Sequence, residues 1–254
     1  MMMNRPVALV TGARRGIGYA IASKLAADGF DLYVADIGVD DGAADRLRAY
    51  GGQVTYLQGD ISDIAVHESW VAAIRENSAQ VDCLVNNAGI GAVSRGDVMS
   101  LQPQNFDRVM AVNLRGTAFL TLAILKLMTT QPSGAIPRSV INIGSVSATH
   151  VSIDRLDYCV SKAALAMWSK GLAARFAKEG VGVFEVRPGI IRSDMTAAVT
   201  EKYDRLIAQG LVPAGRWGEG DDIAKVVASL ASGAFAYATG SVIDVGGGLS
   251  ISQF

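Results

Sequence analysis

The sequence predicts an α/β fold: a doubly wound, mostly parallel seven-stranded sheet with helices on both faces. Three observations carry that expectation. Short apolar runs alternate with longer amphipathic stretches along the whole chain, as in repeated strand–helix units whose strands are covered on both sides. The apolar runs end in glycine, aspartate, asparagine or serine, which gathers polar residues on one edge of the sheet, where such folds bind ligands. A chain of 254 residues, 50% hydrophobic with a mean hydropathy of +0.28, can build one large core.

Residues 7–10 form the first apolar run, followed by Thr11-Gly-Ala-Arg-Arg-Gly-Ile-Gly18 and an amphipathic stretch over 19–28. This reads strand, glycine turn, helix. Gly12, Gly16 and Gly18 permit positive φ and close backbone approach, and the helix offers its N-terminal amides to a phosphate. An ordinary βα loop would look similar. Residues 30–35 make strand two, closed by Asp36. A carboxylate about 20 residues past the glycines can bond ribose hydroxyls, or cap the next helix. Residues 40–50 are helical in pattern. Residues 54–57 make strand three and end in Gly59-Asp60-Ile61-Ser62. Asp60 is placed to meet an adenine edge or to cap a helix over 65–78.

Residues 81–85 make strand four, followed by Asn86-Asn87-Ala88-Gly89, small enough for backbone to pass close to a flat ligand. A long apolar helix spans 106–128, interrupted by Asn113, and a buried amide there needs partners, neighbouring backbone among them. Residues 132–138 read as a loop and 139–143 as strand five, with Ser145 just past its end. A helix over 157–178 and strand six over 181–186 lead into Arg187-Pro-Gly189. The stretch 190–218 has no strong period. Loops of that length are usually functional or disordered, and a partly helical substrate lid is expected. A helix over 221–232, capped by Asp221 or Asp222, and a strand over 241–245 ending in Gly246-Gly-Gly248 complete a single domain over 1–254.

Net charge is −1 and the sequence pI about 6.1. No basic run stands out, so no nucleic-acid partner is expected. Cys83 and Cys159 lack close spacing and read as reduced thiols of a cytoplasmic protein. Residues 1–10 lack a signal-peptide core, and no apolar run approaches the roughly 18 residues of a membrane span, so no membrane partner is expected. No metal set is expected.

The chemistry centres on residues 145–162. Tyr158 and Lys162 lie one helical turn apart on one face. A free phenol titrates near about 10, and an ammonium a few ångströms away favours its ionised form. Ser145 adds a hydroxyl for a carbonyl or alcohol oxygen, provided the fold brings it there. By itself the pair also suits a half-buried packing tyrosine.

In this order the motifs resemble the short-chain dehydrogenase/reductase family, along nearly the whole chain. Thr11 to Gly18 matches its Thr-Gly-x-x-x-Gly-x-Gly and Asn86 to Gly89 its Asn-Asn-Ala-Gly. Its catalytic Asn, Ser, Tyr and Lys fall on Asn113, Ser145, Tyr158 and Lys162. Within the family the chain is most similar to members called 3-oxoacyl-[acyl-carrier-protein] reductases, through Asn142-Ile-Gly-Ser145 and Gly189-Ile-Ile-Arg-Ser-Asp-Met-Thr196.

The resemblance implies a Rossmann fold and hydride transfer between a nicotinamide and a secondary alcohol or ketone. Tyr158 is then the general acid/base, and Lys162 assists it and bonds the nicotinamide ribose. Ser145 holds the reacting oxygen, and Asn113 anchors a water that carries protons from Lys162 to solvent. Implied cofactor contacts begin with the turn, at Gly12, Arg14, Arg15, Gly16, Ile17 and Gly18. They continue through Asp36, Ile37, Asp60, Ile61, Asn87, Ala88 and Gly89 to Tyr158 and Lys162. Pro188, Gly189, Ile191 and Ser193 complete them beside the carboxamide. Ser193 replaces a commoner threonine and keeps the hydroxyl. Gly246 stands where the family usually has the aspartate of Asp-Gly-Gly.

NAD is the favoured cofactor and NADP the alternative. Asp36 would bond a 2′-hydroxyl and repel a 2′-phosphate, since unit charges about 4 Å apart interact by about 4 kcal/mol at an effective dielectric near 20. Arg15, with Arg14 beside it, stands where NADP members often hold that phosphate, but Ile37 occupies a position where they often carry a second base.

Ser147, His150 and Arg155, together with residues 91–95, the rest of 147–155 and the lid, are expected to line the substrate pocket. His150, Asp154 and Arg155 would suit a polyol, sugar or hydroxy acid, although ordinary surface-loop residues would look the same. The expected function is an oxidoreductase of a small polar secondary alcohol or ketone. The alternative is an NADPH-dependent 3-oxoacyl-[acyl-carrier-protein] reductase of fatty-acid synthesis, and a remote one is a non-catalytic cofactor-binding regulator. Lys126, Lys170 and Arg175 form a thin basic patch for an acidic carrier helix, so a small-molecule substrate is expected and acyl carrier protein is a doubtful partner. The two long helices are apolar over more than one face. With the resemblance, this implies a homotetramer.

Overall fold

The computed structural model describes residues 5–77, 80–131, 134 and 136–252. The expected end of a helix at Ser78, part of the 132–138 loop and the first four residues lie outside the described residues. The strands are β1 (Val7–Thr11), β2 (Asp31–Asp36), β3 (Val54–Gln58), β4 (Cys83–Asn86), β5 (Arg138–Ile143), β6 (Val181–Pro188) and β7 (Val242–Val245). They form one seven-stranded sheet in the order β3-β2-β1-β4-β5-β6-β7. Every neighbouring pair is parallel, which sharpens the expected mostly parallel sheet. The order reverses between β1 and β4, so a crevice opens at their carboxyl ends.

Helices α1 (Gly16–Ala27), α2 (Ala43–Arg48), α3 (Ile64–Asn77), α4 (Pro103–Met110) and α5 (Thr117–Thr130) precede β5, and α6 (Leu156–Phe176), α7 (Thr200–Ala208) and α8 (Gly220–Ala231) follow it. The strand alternation splits the core by face. Ala8 and Val10 join Leu25, Phe184 and Val227 on the side of α1 and α8. Leu9 joins Trp70, Ile74, Leu120 and Leu172 on the side of α3, α5 and α6.

The expected 106–128 helix begins earlier and is interrupted. A π-helical stretch, Ala111–Gly116, joins α4 to α5 and contains Asn113. Gly116 lies so close to the Ile61 carbonyl that a Cβ would meet its oxygen at 2.3 Å. The expectation of no long apolar run is corrected here. The helix Pro103–Thr130 contains an 18-residue window of mean hydropathy 1.4, long and apolar enough to cross a membrane, with 56% of it buried inside this fold. Leu120, Ile124, Leu125 and Met128 are among the side chains it turns into the core.

Three cap assignments also change. Asp60 accepts from the Ser62 amide and hydroxyl rather than from a helix amide, and Asp63 accepts from Ala65 in the first turn of α3. Asp40, not Asp36, bonds the amides at the start of α2. Glu219 is the cap of α8, and Asp222 closes the capping box by accepting from its amide. A reciprocal pair satisfies two end amides at once, which favours it over a single aspartate.

A buried polar ladder ties the centre together. Asn86 Nδ2 donates to Asn142 Oδ1 and Thr121 Oγ1, each at 2.8 Å, and Asn142 Nδ2 donates to Ser169 Oγ at 2.8 Å. It links β4 and β5 to α5 and α6 just below the crevice. Cys83 lies fully buried beneath it, and burial pushes its thiol up to about 12.

Candidate functional site

The turn after β1 and the loop after β4 are bonded to each other. Thr11 Oγ1 accepts from the Asn87 and Ala88 amides at 3.1 and 3.0 Å. Asn87 Nδ2 donates back to the carbonyls of Thr11 and Gly12 at 3.0 and 3.1 Å. Gly12 has φ +63° and leaves no room for a side chain, since a Cβ would sit 3.0 Å from Ala88 Cα. Gly18 is tighter, for its Cβ would lie 2.0 Å from the Gly12 oxygen. The glycines therefore bring the first turn of α1 against the strand ends, with its amides facing the crevice.

At the far end of the crevice stands Asp36. Its Oδ1 accepts from Gly38 N at 3.0 Å and from Arg14 Nε at 3.4 Å, and its Oδ2 from Arg14 N at 3.2 Å. Arg14 also reaches Asp41 at 2.9 Å, so two carboxylates share its charge. Arg15 turns the other way and pairs with Asp194 of the 190–218 segment at 2.9 Å. Its extended backbone, φ −152° and ψ 173°, separates the two neighbouring side chains. Ile37 is 60% exposed on the crevice rim. Burial would raise the Asp60 carboxyl, but the Ser62 amide and hydroxyl and the Arg108 guanidinium, 3.0 Å away, hold it below the usual range.

Ser145, Tyr158 and Lys162 come together past the end of β5, all three buried. Ser145 caps a short 3₁₀ turn, its Oγ accepting from Ser147 N at 3.1 Å, which leaves the hydroxyl hydrogen free to point into the crevice. Gly144 before it is required sterically, because a Cβ would lie 2.4 Å from Oε1 of the buried Glu185. Glu185 is itself held by the Arg187 guanidinium through two bonds of 2.8 and 2.9 Å. Lys162 Nζ donates to the Ile143 carbonyl at 2.9 Å and lies 5.8 Å from the centre of the Tyr158 ring. Asn113, 1% exposed, exchanges bonds with the Ile90 backbone in both directions and donates to Ser161 Oγ at 3.1 Å. The side-chain partner of the expected backbone bonds is thus a serine of α6, one residue before Lys162.

A cleft of about 580 Å³ runs along the whole edge. Every residue expected to touch the cofactor lines it, and Asn113 alone of the catalytic quartet stands behind the wall. Ser147, His150 and Arg155 form its outer end, but residues 91–95 do not line it. Arg95 instead pairs with Asp154 at 3.9 Å. Met195, Tyr203 and Leu211 bring the expected lid to the cleft, whereas sequence reasoning missed Arg108 and Leu249, which also line it. No local pattern marks them, since each arrives through a distant element.

The 190–218 segment is better ordered than its lack of period suggested. Its two ends are joined by a parallel bridge between Ile191 and Gly218, with Arg192 N donating to Gly218 O and Gly218 N to Ile190 O, both at 2.9 Å. Ile207, Val212 and Trp217 form a small core of their own, against Tyr203 and Leu249. Trp217 Nε1 donates to Asp204 at 2.6 Å, and the Tyr203 and Trp217 rings meet edge to face. Ser193 joins Thr196 in a reciprocal cap at the start of this segment.

The fold and cleft define a class, the NAD(P)-dependent oxidoreductases that act on CH–OH groups. Comparison with known proteins agrees. A family profile described as Enoyl-(Acyl carrier protein) reductase matches residues 12–250. The 3-oxoacyl-[acyl-carrier-protein] reductase of Haemophilus influenzae is 37% identical over 252 residues, covering 98% of this chain and 100% of that protein. The crystal structure of a 3-oxoacyl-[acyl-carrier protein] reductase from Brucella melitensis in complex with NAD is 52% identical, with a TM-score of 0.97 over 99% of each chain. That of a gluconate 5-dehydrogenase from Burkholderia cenocepacia in complex with NADP and tartrate is 28% identical, with a TM-score of 0.90 over 98% of this chain and 96% of that one. The chain belongs to the short-chain dehydrogenase/reductase family.

Proposed function

We propose that this protein transfers hydride between NAD and a secondary alcohol or ketone of a small polar substrate, with Tyr158 as general acid and base. The observation that carries the reading is the convergence of Ser145, Tyr158 and Lys162 on the cleft wall, next to the glycine turn. The residues present fit a dinucleotide. Gly12 and Gly18 let the turn pack against the loop after β4 where a Cβ would collide with it, which keeps the backbone of the turn on the cleft wall, and Asp36 lines the opposite end. Gly12, Gly16, Ile17 and Gly18 would hold the phosphates, Asp36 and Ile37 the adenosine, and Asp60 and Ile61 the adenine edge. Asn87, Ala88 and Gly89, with Pro188, Gly189, Ile191 and Ser193, would hold the nicotinamide half. The bound cofactor supplies the site that accepts or gives hydride.

This chain's residues handle the proton. In oxidation the Tyr158 phenolate removes it from the substrate hydroxyl, and in reduction the phenol returns it to the substrate oxygen. Ser145 donates to that oxygen, its own oxygen already fixed by the Ser147 amide. Lys162 places an ammonium beside the phenol and remains anchored to the Ile143 carbonyl. Asn113 uses both amide hydrogens on Ile90 and Ser161, which leaves an Oδ1 lone pair for the water expected to carry protons away from Lys162. The 190–218 segment acts as the substrate lid on a single catalytic domain.

The way the arginines are used supports NAD over NADP. Arg14 is held between Asp36 and Asp41, which opposes its turning to a 2′-phosphate, and Arg15 faces Asp194 on the other side. The wild-type enzyme should show the higher kcat/KM with NADH. Asp36→Ala should move the NADH/NADPH ratio toward NADPH by about 10²-fold, within the charge–charge energy expected at this spacing. A wild-type preference for NADPH would overturn the cofactor assignment.

A second reading is favoured by the names of the Haemophilus and Brucella relatives: a 3-oxoacyl-[acyl-carrier-protein] reductase. It calls for NADPH-dependent reduction of acetoacetyl thioesters and a rate that falls when Lys126 and Lys170 are neutralised. Arg175, the third basic residue, is paired with Glu179.

Assembly into a homotetramer in the cytoplasm completes the proposal. Phe119 on α5, and Val160 and Met167 on α6, expose large apolar side chains, Met167 to 67%. Strand β7 is an edge strand of the sheet. Sedimentation equilibrium at micromolar concentration should give four times the 26.6 kDa chain mass, and a monomer there would refute the assembly.

A further inference from the structure

Five cationic side chains line the cleft: Arg14, Arg15, Arg108, Arg155 and Lys162. Arg14, Arg15 and Arg108 are each paired with a carboxylate, and Lys162 is held by a backbone carbonyl. Arg155 differs. No ion pair joins it to a carboxylate among the described residues, and the one hydrogen bond of its guanidinium is a long 3.4 Å contact from Nη2 to Ser147 Oγ. Its Nε is buried without a partner. A guanidinium has five N–H donors in a planar fork, and a buried donor is normally satisfied. The neighbouring acids are engaged elsewhere. Asp154 accepts from Ser152 Oγ at 2.6 Å and is paired with Arg95, and Asp157 Oδ1 accepts from the Tyr158 amide at 2.8 Å. The other oxygen of Asp157 is buried without a partner and forms no ion pair with Arg155.

The guanidinium carbon lies 5.2 Å from the centre of the Tyr158 ring, and both residues line the cleft. An anionic group bound there would sit a few bonds from the carbon whose oxygen meets Tyr158. We propose that Arg155 is the counter-ion for a substrate carboxylate, so that the enzyme acts on small hydroxy acids and the matching oxo acids in preference to neutral alcohols. A carboxylate matches the guanidinium fork with two parallel bonds and fixes which hydroxyl reaches the tyrosine. This rests on the catalytic reading above and narrows its substrate class.

The test uses the full-length enzyme with its preferred nicotinamide and a panel of small hydroxy acids, each paired with its methyl ester. Neutral secondary alcohols, phosphate monoesters of hydroxy ketones and acetoacetyl thioesters complete the panel. The wild type should favour acid over ester by about 10- to 100-fold in kcat/KM, the scale of a hydrogen bond to a charged group. In Arg155→Gln that ratio should fall toward unity, and Arg155→Lys should restore part of it. NADH fluorescence reports whether each variant is folded, and the wild-type ratio stands even if one is not. Equal rates on acid and ester, equal losses on both in Arg155→Gln (the result for an arginine that merely stacks on Tyr158), or turnover confined to alcohols, phosphates or thioesters would each overturn the proposal while leaving Tyr158 catalysis intact. Turnover of no member of the panel would sink the catalytic reading together with it.

Discussion

Tyr158→Phe lowers kcat by about 10²–10⁴-fold, the usual contribution of a positioned general acid or base, while NADH still binds. The substitution removes one oxygen and keeps the ring that packs against Lys162 and Arg155. The Ile143 anchor of Lys162 does not involve the phenol, so the ammonium stays in place. Ser145 likewise keeps its bond from Ser147. The loss should therefore fall on kcat, with the cofactor dissociation constant near its wild-type value. Single-turnover rates and a fluorescence titration separate the two, and a variant turning over at the wild-type rate would remove Tyr158 from the chemistry.

The second large effect is expected at Gly18. This residue lies within α1 with ordinary helical geometry, so the objection to a side chain is contact alone. A Cβ would stand 2.0 Å from the Gly12 oxygen and 2.4 Å from Asn87 Nδ2. The first is backbone and cannot swing away, and the second is a side-chain amide tied to the Thr11 and Gly12 carbonyls, so moving it breaks the β1–β4 linkage. Gly18→Ala should push α1 off the strand ends, with destabilisation of about 1–3 kcal/mol as for other overpacked sites. Misplaced amides should also reduce kcat/KM by about 10²-fold. Calorimetry and steady-state kinetics measure the two parts. Gly16→Ala is the informative comparison, for at φ +58° it meets nothing within 4 Å and suffers backbone strain only. Equal effects at Gly16 and Gly18 would show that close contact is not what the third glycine provides.

The sheet and its functional edge were legible because their signals are local. Apolar runs mark strands, and the residue after each strand has no choice but to stand at the carboxyl edge. Thr11, Asn87 and Ser145 were placed on that logic. Where a side chain points from a turn is a different matter. Arg14 and Arg15 are adjacent and chemically alike, yet one faces Asp36 and the other Asp194, a division set by one extended residue. The caps of α3 and α8 were missed by a few residues for a similar reason, since several acids were available and only the backbone path decides among them. Asn113 was singled out as a polar break in an apolar helix, but its π-helical setting depends on the close approach of Gly116 to Ile61, two segments far apart in the chain. The core of the 190–218 segment was invisible because it is assembled from single residues, Ile207, Val212 and Trp217, with no shared period.

That small core bears on how the proposed lid moves. A loop without internal packing must lose the freedom of every residue when it closes, at about 1–2 kcal/mol of backbone entropy each. Here Trp217 is bonded to Asp204 and meets Tyr203 edge to face, and the segment's two ends are joined at Ile191 and Gly218. It is already ordered within itself, so closure would fix the angle of a preassembled panel about a paired hinge rather than freeze a chain. The binding energy of the substrate is then left largely for orienting its reacting carbon against Tyr158.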